Sequence, residues 1–391
     1  MRDGGTKMCA RQDAEIPESE ARARPRPRLR DLEITIGSMP TGSLNAITDV
    51  PGVRVGHTTL IGPEQSIRTG VTAIHPHEGS AFHSLVPAAI VVLNGAGEMT
   101  GRSQIDEYGL LESPILITNT LSVGAVHQAT VEWICASEPE LGSGHFAIPV
   151  VAETFDGFLN DAAGQHVKRE HVFAALDTAS SGPVAEGNVG GGTGMLTCQF
   201  KGGIGTSSRV IELADRAFTI GVLVQSNFGL REDLLIDGVP VGREVVDLRP
   251  ERGEEVKKDG SIIIVVATDA PFSDRQMRRI SNRAMLGLAR AGGIGRHSSG
   301  DILIAFSNAP ENRTRRVEDR HAVAPADVVL QRTQINDVAI DPFFQATVEA
   351  TSEAIGNALV AAETMIGRDG HVAHALPHDR LVGTMRRYGR R

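Results

Sequence analysis

Aromatic side chains are scarce in this chain. They make up 4% of its 391 residues, with one Trp and two Tyr, so a stacking platform for single-stranded nucleic acid has little to be built from. Positive charge is in deficit too. With 39 Lys and Arg against 48 Asp and Glu the formal net charge is -9, which argues against a phosphate backbone as a constitutive partner. Cysteine is nearly missing. Cys9, Cys135 and Cys198 are far apart, odd in number and match no zinc spacing. Cys135 and Cys198 sit among apolar neighbours and are expected to be buried thiols, a usage that suits a reducing, cytoplasmic compartment. No apolar run reaches the length of a membrane span, so no membrane partner is expected. Residues 1–31 are polar, with Arg22, Arg24, Arg26, Arg28 and Arg30 alternating around Pro25 and Pro27. A secretory signal needs an apolar segment after its basic start and none follows, so this stretch reads as a disordered tail, with a weak anionic-surface contact as the lesser alternative.

Glycine, in contrast, is plentiful. The 43 glycines call for many tight turns or close backbone contacts, while 41% hydrophobic residues are enough for a sizeable core. Short β-branched runs read as strands at 32–36, after the 49–57 turn, and at 88–93, 115–120, 146–152, 217–225, 262–267 and 302–306. Pro149 places the 146–152 run at an edge or bulge, or makes it partly irregular. Helical spacing predicts a helix near 123–136. Another is predicted after the Ser273–Gln276 capping box, with Met277, Ile280, Ala284 and Leu288 on its inner face. A long last helix is expected with Asp341 as N-cap, Pro342 at its first position, and Phe344, Val348, Ile355 and Leu359 as its buried stripe. The charged segment 249–258 reads as an exposed loop. The pattern is that of one compact α/β domain over residues 32–391. The glycine cluster at 187–206 lacks the P-loop spacing. Glycines that turn tightly or let the backbone pass close to a site explain it as well.

Four polar residues stand where apolar strands end: Asn94, Glu153, Asn227 and Ser261. Rigid strands that expose a side chain at a loop are where sites gather, so these four point to one cleft with a hydroxyl, amides and a carboxylate. Ser261 follows Asp259-Gly260, and most such turns are ordinary turn chemistry. There is no Gly-x-Ser-x-Gly elbow and no His placed to serve Ser261; His57, beside a glycine turn, reads as structural. One chemical route needs no histidine. Cleavage of the Gly260–Ser261 bond frees an α-amine whose ordinary pKa of about 7.7–8.0 suits a base near neutrality. Gly260, without a side chain, tolerates the distorted turn that such a cleavage needs.

The blocks 49–57, 94–101, 117–124, 152–157, 186–195, 201–209, 222–229, 260–271, 300–306 and 341–359 together resemble the L-aminopeptidase/D-esterase (DmpA-type) family, which includes the β-peptidyl aminopeptidases. The resemblance covers nearly the whole ordered chain. It implies a four-layer αββα sandwich, with the layering of N-terminal-nucleophile hydrolases but DmpA-type connectivity. It also implies a precursor that cuts itself into 1–260 and 261–391, and a homotetramer of two-chain protomers. Carried over, Ser261 is the nucleophile, Gly260–Ser261 the scissile bond and Asn227 the oxyanion-hole amide. Glu153 holds the substrate's free amino group, and Ser299 and Asp301 tune the nucleophile. Ser298 precedes Ser299 where the family commonly has glycine, so either serine can fill that place, and the acid is Asp301 where some members carry Glu. The expected enzyme is a self-processing serine aminopeptidase for short peptides, amides or esters that needs no cofactor or metal. Two other readings use the same features: an endo-acting amidase of oligoamides, and an unprocessed binding protein with a glycine-rich cleft. An acetyltransferase of related fold would need threonine at 261.

Overall fold

The run Ser-Ile-Ile-Ile-Val-Val-Ala-Thr at 261–268 has no polar alternation, and a strand of that composition must be covered on both faces. In the computed structural model all eight residues are buried. Ile262, Ile264 and Val266 point into a core shared with helices, and Ile263, Val265 and Ala267 into a core shared with a second sheet. The structure describes residues 26–62, 65–251, 260–317, 324–325 and 328–390.

Among these, the principal strands are β1 Arg54–Ile61, β2 Arg68–His75, β3 Ser84–Gly95, β4 Ile115–Asn119, β5 Val150–Thr154, β6 Gly203–Leu213, β7 Arg216–Asn227, β8 Ser261–Thr268 and β9 Gly300–Ser307. The principal helices are α1 Val123–Ser137, α2 Arg169–Asp177, α3 Asp274–Arg290, α4 Asp341–Val360 and α5 His378–Arg387. One sheet has the order β1-β2-β4-β5, the other β3-β9-β8-β7-β6, with short strands Thr314–Arg315 and Leu110–Leu111 pairing with β3. Only β4–β5 and β8–β9 are parallel pairs within these sheets. The sheets face one another through Ile74, Ile117 and Ala152 on one side and Leu223, Ile263, Val265 and Ile304 on the other. Val71, Leu116 and Val151 on the first sheet's outer face pack against Val126 and Ala129 of α1 and Val172 and Leu176 of α2. Val222, Ile264 and Leu303 on the second sheet's outer face meet Met277, Ile280 and Ala284 of α3 and Ile355 and Leu359 of α4. The result is the αββα sandwich.

Several local expectations change. Residues 32–36 form no strand. A 3-10 turn at Arg30–Leu32 leads to Glu33 at φ 59, and Ile34 and Ile36 are buried singly. Side chains take the backbone groups a ladder would use: Arg209 donates to the Ile36 carbonyl, and Glu349 accepts from the Ser38 and Met39 amides. Arg28, read as tail, donates to the carbonyls of Leu44, Asn45 and Thr206, and Leu29 beside it is buried, so the chain is packed from 26 onward. Residues 1–25 and most of the 249–258 loop lie outside the described residues. Strands β2 and β6 were not legible, because threonines, serines and glycines interrupt their apolar pattern. Helix α4 is buried on nearly all sides rather than along one stripe, with Val348 half-buried, and it begins at Asp341 with Ile340 as N-cap. Cys135 is exposed on α1, contrary to expectation, while Cys198 is buried. Pro149 does precede an edge strand, β5, and the Ser273–Gln276 capping box does open α3.

Helix α4 and strand β6 are joined by buried charge. The Arg209 guanidinium, fully buried, lies 3.1 Å from Glu349 and 2.7 Å from Glu353 and donates to Ser207 and Ser208 as well. Burial pushes the Glu353 carboxyl up, yet Arg30 and Arg209 outweigh it and hold it below the ordinary glutamate value. Removing one member leaves uncompensated buried charge. Arg209→Met is therefore expected to cost about 3–5 kcal/mol in equilibrium urea unfolding. A cost below about 1 kcal/mol would show that the network contributes no net stability.

Candidate active site

Ser261 opens β8, and its place is set by both neighbouring strands. Asn227, the last residue of β7, is its antiparallel partner, and Gly300, the first of β9, its parallel partner. The Gly300 N–H lies 3.2 Å from Ser261 Oγ and 3.2 Å from the Gly260 carbonyl oxygen, so one donor serves both the hydroxyl and the preceding peptide. Gly260 itself has no room for a side chain. A Cβ there would lie 2.1 Å from the Asn227 carbonyl oxygen and 2.6 Å from the Phe228 Cα. Glycine at 260 is thus demanded by close approach of two backbones.

Asn227 is oriented at both ends of its amide. Its Oδ1 accepts from the Leu196 N–H at 2.8 Å, and its Nδ2 donates to the Phe155 carbonyl at 3.0 Å, leaving Nδ2 one further hydrogen. That second bond ties β7 to the segment just after Glu153. Glu153 lies near the end of β5, buried, with Oε1 accepting from the Glu98 N–H at 3.0 Å and Oε2 from the Thr120 hydroxyl. Burial pushes its carboxyl above the ordinary value, against the pull of those two bonds. Gly97 sits between this carboxylate and β9: a Cβ on it would lie 2.9 Å from Glu153 Oε1 and 3.2 Å from the Gly300 Cα. The carboxylate and the serine are therefore separated by little more than one glycine backbone and the start of β9.

Ser299, buried, donates to Asp301 at 2.6 Å, while Ser298 is exposed; the serine that bonds the acid is Ser299. Burial pushes Asp301 up to about 6, with the Ser299 bond acting against it. A narrow cleft beside them is lined by Phe228, Gly260, Gly295, Arg296, Ser299 and Asp301. Asn94 does not join the cleft as a free amide. Its Nδ2 donates to the carbonyls of Arg296, His297 and Ser299, so it holds the turn that delivers Ser299. Histidines on the nearby sheet are engaged elsewhere: His57 Nδ1 lies 2.9 Å from the Thr72 hydroxyl and His75 Nε2 3.1 Å from the Leu176 carbonyl. The structure thus brings Ser261, Gly260, Asn227, Ser299 and Asp301 to one end of the second sheet, with Glu153 facing them from the first. Sequence reasoning missed Thr120 and the Gly300 and Glu98 amides. Backbone donors carry no residue signature, and Thr120 gains its meaning only from the carboxylate it meets across the sheet.

Two facing sheets clad in helices, with a hydroxyl residue at the head of a central strand, define a hydrolase of the N-terminal-nucleophile type of fold. The chain belongs to Peptidase family S58, whose model matches residues 45–373. It is 44% identical over 381 residues to the beta-peptidyl aminopeptidase BapA of Sphingosinicella microcystinivorans, covering 93% of each chain. Among solved structures it is similar to a Burkholderia sp. beta-aminopeptidase, with TM-score 0.86, 44% identity and coverage of 93% of this chain and 99% of that one. It is similar also to the L-aminopeptidase D-Ala-esterase/amidase of Ochrobactrum anthropi, described as a prototype for the serine aminopeptidases and a variant of the Ntn hydrolase fold. There the TM-score is 0.85, with 44% identity and 93% and 99% coverage. The chain is accordingly a hydrolase of the aminopeptidase class.

Asp301 yields a stability test. Its folded pKa, about 6, exceeds the ordinary aspartate value, so the folded state holds the proton more tightly and loses stability as pH rises from about 4 to about 6. Asp301→Asn removes that penalty while keeping an acceptor for Ser299. The variant is expected to be more stable than the parent at pH 8, by about 1–3 kcal/mol, with the gap closing below pH 4. Equal or lower stability at pH 8 in thermal unfolding would contradict this account.

Proposed function

We propose that the chain cuts itself between Gly260 and Ser261 and that the new N-terminal Ser261 is the nucleophile of an aminopeptidase. The observation that carries this reading is the shared Gly300 N–H, which holds the Ser261 hydroxyl and the Gly260 carbonyl together at the head of a rigid strand. In the precursor the hydroxyl attacks the Gly260 carbonyl carbon, and the C–N bond gives way to an ester that water hydrolyses. Gly300 N–H meets the oxygen on which negative charge develops. The products are residues 1–260 and 261–391, the latter with a free α-amine.

In turnover that amine takes the Ser261 hydroxyl proton as the oxygen attacks the substrate carbonyl. The remaining Nδ2 hydrogen of Asn227 serves the oxyanion, a contribution of about 3–4 kcal/mol for a donor of this kind. The leaving amine takes the proton back, and water then releases the acyl group from Ser261 by the same base. Glu153 binds the substrate's terminal ammonium, which favours an aminopeptidase over an endo-acting amidase. Ser299 and Asp301 set the hydrogen-bonding around the nucleophile's amine. An anchor that recognises an amine, rather than the carbon bearing it, admits N-terminal β-residues as well as α-residues. The β-peptidyl aminopeptidase relatives support that substrate class. Short peptides, amides or esters are the substrates, and no cofactor takes part. A homotetramer of two-chain protomers in the cytoplasm completes the reading. It rests on family resemblance and on the absence, among the described residues, of any helix long and apolar enough to cross a membrane.

Intact mass spectrometry should find two fragments parted at Gly260–Ser261, and Ser261→Ala a single uncut chain without activity. Cutting that persists in Ser261→Ala would refute the nucleophile. Glu153→Gln should raise KM for free-amine substrates about 10–100-fold, the loss of a buried charge-assisted contact, with little change in self-cleavage. Equal damage to both would make Glu153 structural. Since Glu153 must be ionised to hold an ammonium and its pKa is raised, kcat/KM should fall toward acid with a midpoint above the ordinary glutamate value. In Glu153→Gln the Glu153 contribution to this fall should disappear, leaving only the fall that protonation of the Ser261 α-amine causes.

A further inference from the structure

Among the described residues, Lys201 is a buried cation with no anionic partner. Its side chain is fully buried, and its Nζ donates to three main-chain carbonyls: Gly192 at 3.2 Å, Met195 at 2.9 Å and Gly202 at 2.7 Å. Among the described residues no carboxylate pairs with it. Burial lowers its pKa to about 7, and three convergent acceptors favour the ammonium, which has three hydrogens to give. A cation in such a place is costly unless its hydrogen bonds are all satisfied, and here they are satisfied by a single stretch of backbone.

That stretch begins Gly190-Gly191-Gly192-Thr193-Gly194, a sequence with the greatest freedom to lose and the least rigidity of its own. It runs into a tight hairpin in which Leu196–Thr197 pairs with Phe200–Lys201. The two turn residues, Cys198 and Gln199, are both left-handed at φ 49 and φ 60 although neither is glycine. Buried Arg231 donates to both their carbonyls, at 3.0 and 2.6 Å. The hairpin is thus held rigidly, and what it presents is the Leu196 N–H, 2.8 Å from Asn227 Oδ1. Occupying that oxygen turns Nδ2 to the other side, where it donates to the Phe155 carbonyl, and Asn227 is itself the ladder partner of Ser261.

We propose that Lys201 is a positioning residue for catalysis: its ammonium clamps the glycine-rich 192–202 segment so that the Leu196 N–H fixes the Asn227 amide with Nδ2 facing the carbonyl under attack. The inference rests on reading Asn227 as the oxyanion donor. Lys201 touches neither substrate nor nucleophile, and its effect passes through Asn227 alone.

The test is a double-mutant cycle on the full-length protein, with kcat and KM for an aminoacyl amide normalised to the self-cleaved fraction. Lys201→Met keeps an unbranched side chain one atom shorter and removes the charge and its three donors. It is expected to lower kcat about 10–100-fold, since an oxyanion donor is worth about 10²–10³ and misplacement forfeits part of it, with KM within about 2-fold. Combined with Asn227→Ala, it is expected to lower kcat no further. A Lys201→Met enzyme with kcat within about 3-fold of the parent overturns the proposal, and so do losses that multiply in the double variant, as two independent defects would. An Asn227→Ala enzyme with undiminished kcat overturns the oxyanion reading itself, and the positioning role with it. If Lys201→Met does not fold, the same cycle is run with Lys201→Arg, whose planar head cannot meet three convergent carbonyls and whose kcat should fall with the same non-additivity.

Discussion

The two-sided pairing of strand β8 is the constraint on which the rest depends. Its residues are buried on both faces, so its backbone must be hydrogen-bonded on both edges, and its flanks are β7 antiparallel and β9 parallel. Pairing in that register leaves Ser261 no freedom. Asn227 stands on one side and the Gly300 amide on the other, at spacings set by the ladder rather than by loops. A site built this way is as rigid as the sheet. The close approach at Gly260, where even a methyl group would strike the Asn227 carbonyl, has the same origin.

Around this centre the fold handles buried charge in two distinct ways. Between β6 and α4 it pairs a guanidinium with carboxylates, and Arg209, Glu349, Glu353 and Arg30 neutralise one another far from the chemistry. Beneath the site it solvates cations with main-chain carbonyls instead, three around Lys201 and four around Arg231, from Cys198, Gln199, Val245 and Leu248. The difference has a physical consequence. The ion pairs join β6 to α4 and also hold the irregular 36–39 backbone, whereas the carbonyl-bound cations hold glycine-rich and turn backbone directly. The glycine-rich segment under Asn227 is such a backbone. Raised carboxyl pKa values at Glu153 and Asp301 belong to the same economy of dry surroundings. The site thus keeps two acids where burial disfavours their charge.

Much of this was open to reading residue by residue. The apolar runs at 88–93, 115–120, 217–225 and 262–267 are strands because nothing but burial suits them, and the Ser273–Gln276 box opens a helix by local hydrogen bonds. Strand β6 escaped notice because its first half, Gly-Ile-Gly-Thr-Ser-Ser, is buried by what covers it rather than by its own hydrophobicity. The 32–36 run looked like a strand for the opposite reason: its isoleucines are buried, but side chains from β6 and α4 take the backbone groups that a partner strand would need. Asn94 and Asn227 looked alike at the ends of their strands. One holds a turn and the other is paired with Ser261, and that distinction lies in which strands flank them.

By itself the sequence determined that there would be a covered β-sheet core, and that a serine with no histidine would follow a glycine at the mouth of its most apolar strand. It also carried, in its ordered blocks, the family to which the chain belongs. These follow from composition and local pattern, which are properties of neighbours along the chain. Tertiary structure alone decided that one amide hydrogen of Gly300 reaches both the Ser261 hydroxyl and the Gly260 carbonyl. It alone decided that Ser299 rather than Ser298 bonds Asp301, and that Lys201 binds the Met195 carbonyl next to the Leu196 amide that meets Asn227. The first is a contact between strands distant in sequence, and the others hang on how turns are held against that sheet. Their distances depend on sheet register and layer packing, which no local pattern encodes.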